Sequence, residues 1–211
     1  MSPVELTNLR AASSETARDI NRRVVLNLIR SRQPVSRADL ARLSGLQRST
    51  VSLITEQLIA EQFVVEGSTG RLPRGRRPTF LRLNDRRAII GIDIRPIQTT
   101  VALAEVNGHF MSQEAMPTPR DPQAAVEELI TLLRRLLAAH SDRMFEGIGI
   151  NLPGRFDFKS QRLVFAPNLK WPEFDLKTPI ERATGLEVEL ENAANACVLA
   201  EMWFGQAQGV R

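Results

Sequence analysis

Ser36-Arg-Ala-Asp-Leu-Ala-Arg-Leu-Ser-Gly-Leu-Gln-Arg-Ser-Thr-Val-Ser-Leu-Ile-Thr-Glu-Gln-Leu-Ile-Ala60 holds two short helical patterns on either side of a glycine. Ser36 reads as an N-cap, and residues 37–44 read as a helix carrying Ala38, Leu40, Ala41 and Leu43 inward. Gly45 supplies the permissive backbone that a tight turn needs. A third helix opens near Gln47 and runs to about Ala60, with Val51, Ile54, Leu58 and Ile59 on its buried face. Two helices joined by a turn of about three or four residues set the second into the major groove of DNA, its first residues against base edges. Those residues here are Gln47, Arg48, Ser49, Thr50 and Ser52, with no carboxylate before Glu56. The plainer alternative is a three-helix packing unit with a solvated basic loop.

The flanks favour DNA. Residues 1–15 are polar and unpatterned, a loose arm. Residues 16–32 read as a helix with an apolar stripe of Ile20, Val24, Leu26, Leu28 and Ile29, ended by Gln33-Pro34. After the third helix come two strand-like runs, 63–66 and 79–83. Between them lies Gly67-Ser-Thr-Gly-Arg-Leu-Pro-Arg-Gly-Arg-Arg-Pro78, a hairpin tip with Arg71, Arg74, Arg76 and Arg77. Such a wing reaches phosphates or an adjacent minor groove. Charge agrees. Residues 1–90 carry 16 Lys+Arg against 8 Asp+Glu, all the cations arginine, whereas 91–211 carry 12 against 16. Arginine's planar fork suits phosphates and guanine edges. Residues 1–90 offer only Phe63 and Phe80 as aromatics, too few to stack RNA bases. The partner expected is double-stranded operator DNA.

From residue 88 the style changes. Residues 88–94 and 100–106 read as strands, and Asn107-Gly108 signals a hairpin into a strand at 109–116. A helix follows at 123–139, then a buried strand at 147–152 ending in Pro153-Gly154. A short strand at 162–165 and the loop 166–171 lead to a helix at 176–184, a strand at 187–190 and a last helix at 191–204. Antiparallel strands followed by alternating helix and strand make an α/β layout. No apolar run approaches the roughly 18 residues of a membrane span, and Met1–Arg10 lacks a signal-peptide pattern. Cys197 is the single cysteine, and His109 and His140 stand apart, so no disulfide or metal-ligand spacing is present. These features describe a soluble cytoplasmic protein.

Residues 22–83 resemble the DNA-binding domain of ROK-type sugar-responsive repressors, above all in the wing's Gly-Arg-Arg-Pro followed by Leu81 and Asn84. Gly91-Ile-Asp93, Gly147-Ile-Gly-Ile-Asn-Leu-Pro-Gly154, Ala166-Pro-Asn-Leu-Lys-Trp171 and Glu191-Asn-Ala-Ala-Asn195 resemble the first lobe of the ROK domain. That family contains sugar kinases and repressors of carbohydrate-use genes, such as those answering to xylose. The resemblance implies an α/β fold: a winged helix-turn-helix over 16–85, then over 88–211 the first lobe of an actin-like, ribonuclease H-like domain of hexokinase type. It also implies a sugar or sugar-phosphate effector, with Asn168 and Asn192 at positions that hydrogen-bond sugar hydroxyls. Asparagine suits that task because its amide donates and accepts at once. Asn168 holding a turn and Asn192 capping the last helix remain alternatives.

Two departures bear on catalysis. ROK kinases hold ATP phosphate with Asp-x-Gly-x-Thr, but Asp93-Ile-Arg-Pro-Ile-Gln-Thr99 has no such glycine, and Pro96 removes an N–H donor. They also use the Asp of Asn-Asp-Ala-Asn as general base, where this chain has Ala193. The expectation is a non-enzyme without cofactor or metal: a regulator of carbohydrate-use genes, most simply a repressor. A carbohydrate kinase with an added DNA-binding arm and an effector-independent DNA-binding protein are the other readings. The resemblance further implies a second lobe beyond Gly209-Val210-Arg211, so the sequence reads as a fragment or a shortened regulator, its homo-oligomeric state open. On that reading one sugar-facing wall gives binding weaker than millimolar. It also leaves Val198, Met202, Trp203 and Phe204 of the last helix without cover.

Overall fold

A computed structural model describes residues 14–69, 78–157 and 159–204. The chain divides into two compact units, Met1–Asn84 and Asp85–Arg211.

The first unit runs α1 (Ser14–Arg32), β1 (Val35–Ser36), α2 (Arg37–Ser44), α3 (Arg48–Ala60), β2 (Val64–Thr69) and β3 (Thr79–Leu83). The three strands form one sheet in the order β1-β3-β2, with both pairings antiparallel. Val25, Ile29, Leu40, Val51, Ile54, Leu58, Val64 and Leu81 are buried together in this unit. Two expected faces are shifted. On α1 the buried residues are Val25 and Ile29, while Ile20 and Val24 are 53% and 40% exposed. Arg22 instead turns inward, pairs with Glu61 and sits 5.7 Å from the centre of the Phe63 ring. On α2 only Leu40 is buried, and Leu43 is exposed. A helix of two turns presents little more than one residue to its core.

Ser36 caps α2 as expected. Its hydroxyl oxygen accepts from the Asp39 amide at 3.2 Å and donates to Asp39 Oδ2 at 2.7 Å. Gly45 ends the helix at φ 71°, a left-handed conformation that costs glycine nothing, with its N–H on Ala41 O.

The second unit runs β4 (Arg87–Ile94), β5 (Gln98–Glu105), β6 (Phe110–Pro117), α4 (Pro122–Ala139), β7 (Met144–Leu152), β8 (Arg155–Asp157), β9 (Arg162–Phe165), α5 (Lys177–Thr184), β10 (Val188–Asn192) and α6 (Ala193–Phe204). Five strands make a mixed sheet ordered β10-β7-β4-β5-β6. β4, β7 and β10 are parallel to one another, and β5 and β6 run antiparallel as a hairpin. Alternate residues Ile90, Ile92, Ile148, Ile150, Val188 and Leu190 share one core with Val126, Leu129, Leu133 and Leu136 of α4 and Ile180 of α5. The opposite face carries Gly91, Gly149 and Glu189, all exposed. Burial on one face only is what the alternating pattern demands. The small strands β1 and β8 were not expected from the sequence. The last helix starts at Ala193 rather than 191, because Glu191 and Asn192 continue β10. Val198, Leu199 and Met202 of α6 are exposed; the side chains of Trp203 and Phe204 lie outside the described residues.

The Ser36 hydroxyl first, and Arg42 second, hold the Asp39 carboxyl below its ordinary value. Its contribution to stability is therefore complete above the unfolded value near 3.8 and is lost as pH falls through the lower folded value. Asp39→Asn should narrow the gap between the first unit's urea midpoints at about pH 6 and about pH 3, with its main loss at the higher pH. An unchanged gap would show that the carboxylate does not act through this cap.

Candidate functional site

Gly45 and Gln47 bracket the turn between α2 and α3. Gln47 stands at the N-cap of α3 in extended backbone, yet its side chain makes no cap bond, and no acidic residue occupies the first turn. Arg48 and Ser49 are exposed, while Thr50 and Ser52 are half-buried. The structure thus gathers Gln47, Arg48, Ser49, Thr50 and Ser52 at one helix end. Val51, Ile54 and Leu58 are buried, which turns Ser49, Leu53, Glu56 and Ala60 outward along the opposite face. Thr55 is buried where Ile59 was expected. Its hydroxyl donates to Ser52 O at 2.9 Å and accepts from Arg37 Nε at 3.1 Å, and Arg37 also pairs with Glu66 of β2 at 2.9 Å. That chain of contacts ties α2, α3 and β2 together.

Beside α3 lies a groove of about 830 Å³, walled on the α1 side by Arg18 and Asn21 and on the α3 side by Ser49, Leu53 and Gln57. Leu53, not expected among the outward residues from polar identity, is exposed on this wall. Its spacing of four from Ser49 was the available signal. Arg71, Arg74, Arg76 and Arg77 lie outside the described residues; the flanking strands pair antiparallel at Thr69 and Thr79.

In the second unit, strand register places Asp93, Asn151 and Glu191 in one row near the carboxyl ends of β4, β7 and β10. Arg95 Nε donates to Asp93 Oδ2 at 2.6 Å. At the β4–β5 turn the Arg95 N–H is engaged by Gln98 O at 3.2 Å, and Pro96 has none to offer. A phosphate cradle needs several free N–H groups side by side, and these two positions supply none.

Asn192 Nδ2 donates to Gly154 O at 2.7 Å, and its Oδ1 accepts from the Ala194 amide at 2.9 Å. It therefore caps α6, the structural alternative weighed above, while reaching back to the loop after β7. A Cβ on Gly154 would lie 2.9 Å from Leu163 Cδ1, 3.1 Å from Phe165 O and 3.3 Å from Ala166 Cβ, so a side chain there would crowd β9 and the start of the 166–171 turn. That turn closes by paired bonds between Ala166 and Trp171, with Trp171 fully buried. Asn168 is exposed at its tip. Gly154 thus brings the Asn168 turn and Asn192 to one edge, Asn168 exposed and Asn192 half-buried. Ala193 opens α6 without a carboxylate. Among the described residues no group of His, Cys, Asp or Glu could hold a metal ion, and no helix is long and apolar enough to cross a membrane.

The ROK family profile matches residues 89–211. The chain belongs to the ROK family. It is 34% identical over 194 residues to a xylose repressor of Caldicellulosiruptor bescii, covering 90% of this chain and 49% of the relative. The chain spans about half the length of the curated repressors that it matches. Among solved structures, a ROK family transcriptional regulator, a homologue of the Escherichia coli Mlc protein, superposes with a TM-score of 0.73 at 25% identity, over 89% of this chain and 49% of that one. A ROK family glucokinase from Streptomyces griseus, in complex with glucose and AMPPNP, gives 0.51 at 31% identity over 58% of this chain and 38% of that one. The second unit's mixed α/β sheet is thus similar to the sugar kinases of the family. The repressor and regulator matches are longer than this ROK unit and run into the first.

Asn192→Ala removes a donor and an acceptor at once and should lower the second unit's stability by about 1–3 kcal/mol in thermal unfolding. Asn168→Ala, exposed, should stay within about 0.5 kcal/mol. Equal losses would mean that Asn168 also holds the fold.

Proposed function

We propose that this ROK protein is a sugar-responsive transcriptional repressor, its first unit a winged helix-turn-helix and its ROK unit a sensor without phosphotransfer. The observation that carries the reading is the likeness to a xylose repressor over 90% of the chain, against 58% for a glucokinase. The physical reading agrees. α3 offers Gln47, Arg48, Ser49, Thr50 and Ser52 to the major groove, with no acid in the first turn to repel phosphate. Arg71, Arg74, Arg76 and Arg77, read from the sequence as the wing, are assigned to backbone or minor groove. In the ROK unit Asn168 donates to and accepts from sugar hydroxyls, and Asn192 positions that edge through Gly154. Pro96 and the spent Arg95 N–H leave ATP phosphate without its cradle, and Ala193 cannot take a proton. The kinases' reaction therefore has neither its phosphate site nor its base.

Fluorescence anisotropy of the whole chain on duplexes recovered by selection tests this. Affinity should fall steeply with salt, by a slope of about −0.9 per phosphate contact. Arg48→Ala should relax preference at one base pair, at a cost of about 1–3 kcal/mol there, while Arg76→Ala should weaken all sequences alike. A salt-insensitive affinity, or the two effects exchanged, would count against the assigned roles. The kinase reading is met by assaying ADP release with ATP and a panel of aldoses. No sugar-stimulated release is expected, and release abolished by Asn168→Ala would restore an enzyme.

A further inference from the structure

Leu53 is 52% exposed in the middle of α3, on the face opposite the buried Val51, Ile54 and Leu58. It stands one turn beyond Ser49, so the two project from the same side of the helix. Leu53 lines an open groove whose far wall, on α1, carries Arg18, Asp19, Asn21 and Arg22. Among the described residues of the unit nothing covers this aliphatic side chain, which stands among Ser49, Ser52 and Glu56. On the proposed reading this face enters the major groove, where base edges present donors, acceptors and a single kind of apolar group, the C5-methyl of thymine. Leucine has no hydrogen-bonding atom. Set against a carbonyl or amino edge it would strip water from a polar group and return nothing, whereas against a methyl both partners leave water. We infer that Leu53 is a specificity-determining residue that reads a thymine methyl in the operator. The inference rests on the DNA-binding reading above. The positive balance of the first ninety residues supplies the attraction that brings this face to the duplex, and Leu53 then selects among sequences.

Deoxyuridine tests it, since it differs from thymidine only by that methyl. The whole chain is titrated against its selected duplex and against versions with each thymine replaced singly. At one or two positions the replacement should weaken binding about fourfold, the equivalent of one buried methylene-sized group at about 0.8 kcal/mol. With Leu53→Ala that loss should disappear at those positions and persist elsewhere. Leu53→Met, which keeps the apolar reach, should restore it. A thermal melt of Leu53→Ala close to the parent shows that the fold is intact, as an exposed Leu-to-Ala change in a helix should be. Deoxyuridine losses that are the same in parent and Leu53→Ala, or absent from both, overturn the inference while leaving DNA binding in place. A shift in sedimentation of Leu53→Ala without any change in thymine dependence assigns the residue to a protein contact and also overturns it. Failure of the parent to bind any duplex overturns the broader reading, and this one with it.

Discussion

Val51, Ile54 and Leu58 set the rotation of α3 about its own axis, and with it everything that the helix shows to solvent. A helix with one buried stripe has no freedom left. Once those three side chains pack into the core of the first unit, Ser49, Leu53, Glu56 and Ala60 must face outward. Thr55 reinforces the same setting, because its hydroxyl is bonded both to Ser52 O and to Arg37 at the start of α2. The outward face of α3 is thus a by-product of core packing, and substitutions in the core would disturb it as surely as changes on the face itself.

The second unit obeys a constraint of closeness. Three parallel strands end side by side, and the loop after β7 must pass under Asn192 and against Leu163 and Ala166. Gly154 makes that passage because it has no side chain. The loop thereby links the capped start of α6 and the 166–171 turn at one edge of the sheet. Loops following the carboxyl ends of parallel strands are where α/β folds generally gather ligands. In this chain the chemistry collected there is that of amide and carboxylate groups, without a general base at position 193.

The ROK fold is shared by a xylose repressor, a transcriptional regulator and a glucokinase to which this chain is similar. At the β4–β5 turn Arg95-Pro96-Ile97, the Arg95 N–H is turned back onto Gln98 O and Pro96 has none. The carboxylate of Asp93 meets Arg95. Fold likeness to a glucokinase therefore says little by itself about activity.

Periodicity alone made α2, α3, α4 and the strands of the larger sheet legible, because apolar residues at 3.6- or 2-residue spacing have few other ways to leave water. The hairpin at Asn107-Gly108 was legible for a different reason: Gly108 takes φ 92°, which few residues tolerate. The strands β1 and β8, two and three residues long, carry no period and exist through their partners. On α1, Ile20 with Val24 and Val25 with Ile29 are two equally good stripes one residue apart, and only packing chose the second. Polar identity pointed to the first turn of α3, yet Leu53 became visible only once the buried face was known. Asn192 likewise reaches Gly154, thirty-eight residues earlier in the chain, a contact that no local pattern announces. Sequence determines local propensity and the chemistry each residue carries; which face turns inward, and which polar group is already satisfied, depends on neighbours distant along the chain.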